Sequence, residues 1–326
     1  MARQWKARGP VAKGLIVAAV ALPVATFAAI FTFVTSSAPR SSAPPTSTGT
    51  HRGAHPGRRL APVSGQGRDE PGYLALGDSV AFGYRPIAVT PLEGYLNPAN
   101  FTGYPEDLAK ALRVRLVNAS CPGETTSSMI NSAAPSNGCE SGVRGGPGYR
   151  SFAPLHVGYG GSQLDYAVRY LERHPQTRLV TIDIGVNDVF ACEQTTADRC
   201  SGTDLQPVLA KIRHNLTTIL SALRNRAHYR NALVVLTYYA LTYSAATDGQ
   251  MRELNTALTV PAARFGVRIA DGYAAFRAAS VRSGGDTCAA GLRIKLPAGG
   301  CDLHPSALGQ RVLAAAVQRA FAHQRH

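Results

Sequence analysis

The sequence predicts an α/β domain in which a five-stranded parallel sheet is covered by helices on both faces. Short apolar segments alternate with amphipathic ones from residue 71 onward. Two of them, Leu179–Ile184 and Leu233–Tyr238, are mainly apolar runs, the pattern of strands buried on both faces. Between them lie stretches with helical spacing, such as Gln163–Arg173, whose Leu164, Ala167, Val168 and Leu171 fall on one face. Strands and helices in alternation close into a parallel sheet between two helical layers.

In chain order, Tyr73–Leu76 is the first short strand, Pro105–Leu112 a helix and Val114–Asn118 the second strand. Residues 131–161 are rich in Gly and Pro and read as a long surface excursion. Gln163–Arg173 follows with Ser162 as its cap, then the Leu179–Ile184 strand. Leu205–Arg224 is an amphipathic helix, Leu233–Tyr238 the fourth strand and Val267–Ala270 the fifth. Ala307–Ala322 is the closing helix, with Ser306 at its start.

The residues before this domain read differently. Arg3, Lys6, Arg8 and Lys13 precede an apolar run from Gly14 to about Val34. A basic segment followed by an apolar one is an export signal, and the run is also long enough to span a bilayer. Residues 1–35 are therefore expected to be a cleaved signal peptide or a retained membrane anchor, with 14–34 as the tether. Either way the basic end stays inside, and the domain is secreted or held at the outer face of the membrane. Residues 36–70, rich in Ser, Pro, Thr, Gly and Arg, cannot bury enough apolar surface to fold and read as a linker. The folded domain is assigned to 71–326.

Formal charge is +14, but residues 1–70 hold nine Lys/Arg against two Asp/Glu and so carry half of the excess. The domain has no Lys/Arg run and no zinc-finger or RNA-binding signature, which argues against nucleic acid. Six cysteines in an exported chain indicate disulfides. Fifteen pairings are open, and sequence neighbours give the simplest: Cys121–Cys139, Cys192–Cys200 and Cys288–Cys301. No CxxC pair occurs, so a zinc site is not expected, and neither is any other metal or cofactor. A monomer is expected.

Ligands of a parallel sheet sit at the carboxyl ends of its strands. Gly77-Asp78-Ser79-Val80 follows the first strand and Asn118-Ala119-Ser120-Cys121-Pro122-Gly123 the second. Gly185-Val186-Asn187-Asp188 follows the third, and Cys301-Asp302-Leu303-His304-Pro305 precedes the last helix. Each segment alone is an ordinary turn or cap. Together they supply acyl transfer: Ser79 as nucleophile, His304 as its base and Asp302 as the orienting acceptor. The amides of Ser79 and Gly123 and the side chain of Asn187 would be oxyanion donors. A glycine at 123 would let backbone approach a substrate unobstructed.

These four blocks resemble those of the SGNH (GDSL-type) hydrolases, whose Ser, Gly, Asn and His match Ser79, Gly123, Asn187 and His304. Val80 stands where that family's motif has Leu. The six cysteines and the Cys-Asp-Leu-His-Pro ending are most similar to secreted actinobacterial members. The resemblance covers residues 72–322 and implies a flavodoxin-like three-layer α/β/α sandwich with esterase, lipase, phospholipase or carbohydrate deacetylase activity. It implies a serine esterase or lipase acting on lipid or acylated carbohydrate. The alternatives are a cell-wall or xylan O-deacetylase and a non-catalytic binding domain on the same fold. The family places its Asp three residues before the His. Here Cys301 holds that position and Asp302 is only two before, a spacing expected to threaten the contact. A backbone carbonyl is the alternative orienter.

Other polar residues carry structural expectations. Asp271 is a substitute acid or, more simply, a structural one, and Asp78 and Asp188 should fix the loops beside the site. Asp183, inside an apolar strand, needs a partner if buried. His156 reads as a solvated loop residue and His174 as a helix C-terminal cation. Tyr238, Tyr239 and Tyr243 are either an acyl wall or packing.

Overall fold

The computed structural model describes residues 72–244 and 248–322. The expected signal or anchor and the linker lie outside the described residues. Among the described residues no helix is long and apolar enough to cross a membrane.

The chain starts with β1 (Tyr73–Gly77), turns into a short α1 (Ser79–Phe82) and returns through α2 (Tyr104–Leu112) to β2 (Leu116–Asn118). Helices α3 (Thr126–Ile130) and α4 (Gln163–Arg173) lead to β3 (Leu179–Asp183). Helices α5 (Val186–Thr195) and α6 (Leu205–Ser221) lead to β4 (Ala232–Leu236), and α7 (Gly249–Arg264) to β5 (Arg268–Ala270). After α8 (Gly272–Ser280) come β6 (Arg293–Lys295), β7 (Cys301–Pro305) and α9 (Ala307–Ala322).

The five strands β1 to β5 form one parallel sheet in the order β2-β1-β3-β4-β5. This is the flavodoxin-like order, with its reversal at β1 and β3, where ligands sit outside the carboxyl ends. Every residue of β1, β3 and β4 is buried, which is why those segments are mainly apolar, and the polar Thr181 and Asp183 of β3 are satisfied by the Tyr73 and Tyr104 hydroxyls. Helices α2, α8 and α9 pack together on one face, and α3 to α7 on the other. The sandwich and its five strands are those the sequence predicts. Strands β6 and β7 stand apart as an antiparallel pair.

Helix caps follow local chemistry. Ser162 Oγ accepts from the Asp165 amide at 3.1 Å, and Ser306 Oγ from the Gly309 amide at 3.2 Å. Other features depart from the sequence reading. The helix expected over Leu205–Arg224 ends at Ser221 and is continued by a π turn, Ala222–Arg226. There the Arg224 guanidinium donates to the carbonyls of Tyr229, Asn231 and Phe265. Helix α7 was not anticipated, and neither was the β6–β7 hairpin. The 131–161 segment is not a surface excursion throughout. Its Cys139, Tyr149, Ala153 and Leu155 are buried with Phe82, Tyr95, Phe101 and Cys121 in a second apolar cluster. Sparse aromatics among glycines hid a small core of their own.

Candidate active site

Ser79 is the first residue of α1, and Asp78 caps that helix by accepting the Val80 amide at 2.9 Å. The turn depends on Gly77, whose φ is 142°; a Cβ there would stand 2.6 Å from Asp183 Oδ1 and 2.3 Å from its carbonyl oxygen. Gln163, fully buried at the start of α4, pairs with the same residue from above. It accepts from the Gly77 amide at 2.6 Å and donates to the Gly77 carbonyl at 3.0 Å. From α9, Gln310 accepts the Tyr104 amide and donates to the Val80 carbonyl, which ties α1 and α2 to the closing helix. The serine is thus held from three elements and is 8% exposed.

His304 comes from β7. Its Nε2 lies 2.9 Å from Ser79 Oγ, and its Nδ1 lies 2.5 Å from Asp302 Oδ1. The His304 amide donates to the same carboxylate oxygen at 2.9 Å. The two-residue spacing brings carboxylate and ring together because β7 is extended, and alternate residues of a strand share a face. Burial works against ionisation of Asp302, yet its hydrogen bond with His304 and the charges of His304 and Arg293 hold the carboxyl below its usual value. An ionised carboxylate only accepts, so Nδ1 carries the ring proton and Nε2 is left to accept from the serine hydroxyl. Tyr239 donates to the Leu303 carbonyl at 2.7 Å and pins the strand next to the ring. Tyr84 lies against His304, with ring centroids 4.9 Å apart.

Asn187, buried at the start of α5, is fixed at both ends of its amide. Nδ2 donates to Asp78 Oδ2 at 3.2 Å, and Oδ1 accepts from Asn137 Nδ2 at 2.8 Å. Gln194 in turn donates to Asn137 Oδ1. That leaves the second N–H of Asn187 Nδ2 without a partner among the hydrogen bonds of the described residues. Gly123 stands in the loop after β2 with φ 81°. The reason for a glycine there differs from the expected one. A Cβ would strike the Asn137 carbonyl oxygen at 2.4 Å, so the glycine makes room for protein backbone. Asp188 accepts from the amide and hydroxyl of Thr126 and joins α5 to the segment after Gly123.

The disulfides are Cys121–Cys139, Cys192–Cys200 and Cys288–Cys301. Glu124 approaches the first, but two sulfurs bonded to each other offer no thiolate to a metal. The remaining expectations resolve by contact. Asp271 caps α8 by accepting the Ala274 amide, and it also accepts from Thr237. His174 ends α4 and stacks on Tyr170. Tyr238 and Tyr239 are buried, their hydroxyls donating to Asp78 and to the Leu303 carbonyl, and Tyr243 donates to the Tyr273 carbonyl. His156 is not a solvated residue. Its Nε2 is 3.0 Å from the Phe82 carbonyl and its ring packs on Phe82, at the back of α1. Asn137, Gln163 and Gln310 were missed: each is an ordinary polar residue locally, and its role arises from contacts far away in sequence. A cavity of about 500 Å³ lined by Leu112, Arg178, Arg230 and Phe321 lies by the strand-entry end, away from Ser79.

Serine, imidazole and carboxylate in hydrogen-bonded series at the rim of a doubly covered parallel sheet are the groups of a serine-type hydrolase. A family model described as GDSL-like lipase/acylhydrolase matches residues 75–312. The chain belongs to that family and is a carboxylic ester hydrolase. No curated protein sequence matches it significantly. Similar solved structures include the acetylxylan esterase Axe2 of Geobacillus stearothermophilus, at 18% identity and TM-score 0.47, covering 77% of this chain and 94% of that one. Phospholipase A1 of Streptomyces albidoflavus is similar at 21% identity and TM-score 0.47, covering 77% and 99%. A G-D-S-L family lipolytic protein of Veillonella parvula is similar at 15% identity and TM-score 0.43, covering 77% and 98%.

Proposed function

We propose that the protein is an extracytoplasmic serine esterase that hydrolyses carboxylic esters through an acyl-enzyme on Ser79. The observation that carries the reading is the 2.9 Å contact of Ser79 Oγ with His304 Nε2, backed by the 2.5 Å contact of Nδ1 with Asp302. As Oγ attacks the ester carbonyl carbon, its proton passes to Nε2 and negative charge moves to the carbonyl oxygen. The free N–H of Asn187 and the amides of Ser79 and Gly123 receive that charge. The imidazolium, steadied by Asp302, returns the proton to the departing alkoxide. Water then repeats the sequence, giving its proton to His304 and releasing the acid from Ser79. Three disulfides and the basic-then-apolar sequence of residues 1–35 support action outside the cytoplasm.

The test is Ser79→Ala, assayed on nitrophenyl acetate beside a circular dichroism spectrum. The expected outcome is a folded, inactive protein. A folded variant that keeps most of its activity ends the assignment.

A further inference from the structure

Beneath the nucleophile lies a second acid, Asp183, that the reaction above does not use. It closes β3 and is 1% exposed, and Asp78, 0% exposed, donates its backbone amide to the Asp183 carbonyl at 3.2 Å, which sets the two buried carboxyls side by side. Among the described residues, neither is ion-paired to a lysine or arginine. Two carboxylates so placed in a dry site without a cation cannot both be ionised. One of them must keep a proton.

The surrounding donors decide which one. Asp78 receives three: the Val80 amide at 2.9 Å, Asn187 Nδ2 at 3.2 Å and the Tyr238 hydroxyl at 2.5 Å. Asp183 receives two, the Tyr104 hydroxyl at 2.8 Å and, more weakly, the Ala81 amide at 3.2 Å. The richer donor set favours the anion at Asp78 and leaves the proton on Asp183. Other titratable groups agree with this division. Tyr104 on α2 is linked through Thr181 to Tyr73 on β1, and burial pushes both phenols well above their ordinary value, so they stay neutral donors. Tyr238, beyond β4, is likewise held neutral. Burial raises the Asp78 carboxyl too, but the hydrogen bonds from Tyr238 and the Val80 amide oppose it and favour the anion there. Burial, then the neighbouring Asp78 charge, push Asp183 well above the carboxylate range.

We propose that Asp183 is a positioning residue that keeps its proton and donates it to Asp78, so that Asp78 remains an anion whose outer oxygen aims the Asn187 amide. The Gly77 turn fits this role, since any Cβ there would collide with the Asp183 carboxyl. Asp183 touches no reacting atom; its effect reaches the chemistry through Asp78 and Asn187. The inference rests on the proposed oxyanion role of Asn187.

The experiment compares Asp183→Ala, Asp183→Asn, Asn187→Ala and Ser79→Ala in full-length protein. It measures kcat and KM on nitrophenyl acetate and records infrared difference spectra at neutral pH. Loss of the oxyanion donor itself, Asn187→Ala, sets the scale at roughly a hundredfold in kcat. Asp183→Ala is expected to lower kcat about tenfold or more with KM little changed, because the aim of a transition-state donor is lost. Asp183→Asn keeps a neutral donor toward Asp78 and should recover to within about threefold of the parent. The parent should show the carbonyl band of a protonated carboxylic acid that disappears in Asp183→Asn. Buried Glu106 and Glu124 also hold protons and keep their own bands in both proteins, so the readout is the parent-minus-Asp183→Asn difference; a difference spectrum with no lost carboxylic-acid component overturns the proposal. So does an Asn variant as impaired as the Ala variant. If Asp183→Ala does not fold, the band and the Asn variant decide alone. An active Ser79→Ala or an unimpaired Asn187→Ala would instead defeat the underlying catalytic reading.

Discussion

His304 and Asp302 occupy alternate positions of one strand, and their duties differ. In the proposed reaction the ring takes a proton from Ser79, and among the described residues no other base is hydrogen-bonded to that hydroxyl. In that proposed reaction Asp302 only orients the ring and steadies its charged form, and the Tyr239 bond to the Leu303 carbonyl holds the same strand independently. His304→Ala is therefore expected to be nearly inactive. Asp302→Ala should retain at least tenfold more turnover than the His variant, though still roughly a thousandfold or more below the parent. Initial rates on nitrophenyl acetate, with folding checked by circular dichroism, decide this; equal losses in two folded variants would refute the division of labour. The placement of Ser79, Gly123, Asn187 and His304 around the strand ends was legible in the sequence because each follows a strand exit or precedes a helix, where a parallel sheet gathers its ligands. Asn137, Gln163 and Gln310 were not, because a buried glutamine that pairs with a glycine 86 positions away leaves no local trace.

Among the elements, α2 carries a pH-sensitive start. Glu106 accepts the Gly103 amide at 2.8 Å and Asn118 Nδ2 at 2.9 Å, joining the helix to the end of β2. Burial pushes its carboxyl from the ordinary 4.5 up to about 7, against those hydrogen bonds, which favour the anion. An unfolded chain releases this proton near 4.5 and the folded one holds it until about 7. The contribution to stability is therefore complete below the lower value and declines as pH rises toward the upper. One proton gives a slope of at most about 1.4 kcal/mol per pH unit. Thermal melts of the parent should show a falling Tm across this window, and Glu106→Gln should flatten it; identical profiles would remove Glu106 from the account. Helices and strands with strong patterns were legible to within a residue or two. Helix α7 was not, since Pro261 sits inside it and its exposed Val260 blurs the apolar stripe. The β6–β7 hairpin was also missed, because Arg, Lys, Asp and His on short strands read as site chemistry and not as a sheet.

Across the whole molecule, the three disulfides all lie on the side where the strands end. Cys121 follows β2, Cys192 is in α5 after β3, and Cys301 begins the strand that carries His304. Sequence neighbours were enough to pair them, whereas the 131–161 cluster that the first bridge enters was hidden by its glycines. Closing the 13-residue span from Cys288 to Cys301 contributes up to about 3 kcal/mol by chain entropy. Replacing both by Ser should lower stability by about that much in urea unfolding. It should also reduce turnover more than replacing Cys192 and Cys200, whose bridge starts from α5 and not from the strand that carries His304. Equal effects would show that the staple does not steady the base. The distance along the chain between nucleophile and base, 225 positions, has a consequence for synthesis. A ribosome finishes β1 and Ser79 early, yet the imidazole emerges only after every strand of the main sheet has been made. On the proposed mechanism the serine is until then an ordinary alcohol, and a nascent or prematurely terminated polypeptide is expected to be chemically silent toward esters around it. A serine-reactive phosphonate probe should accordingly label only translation products that extend past residue 304.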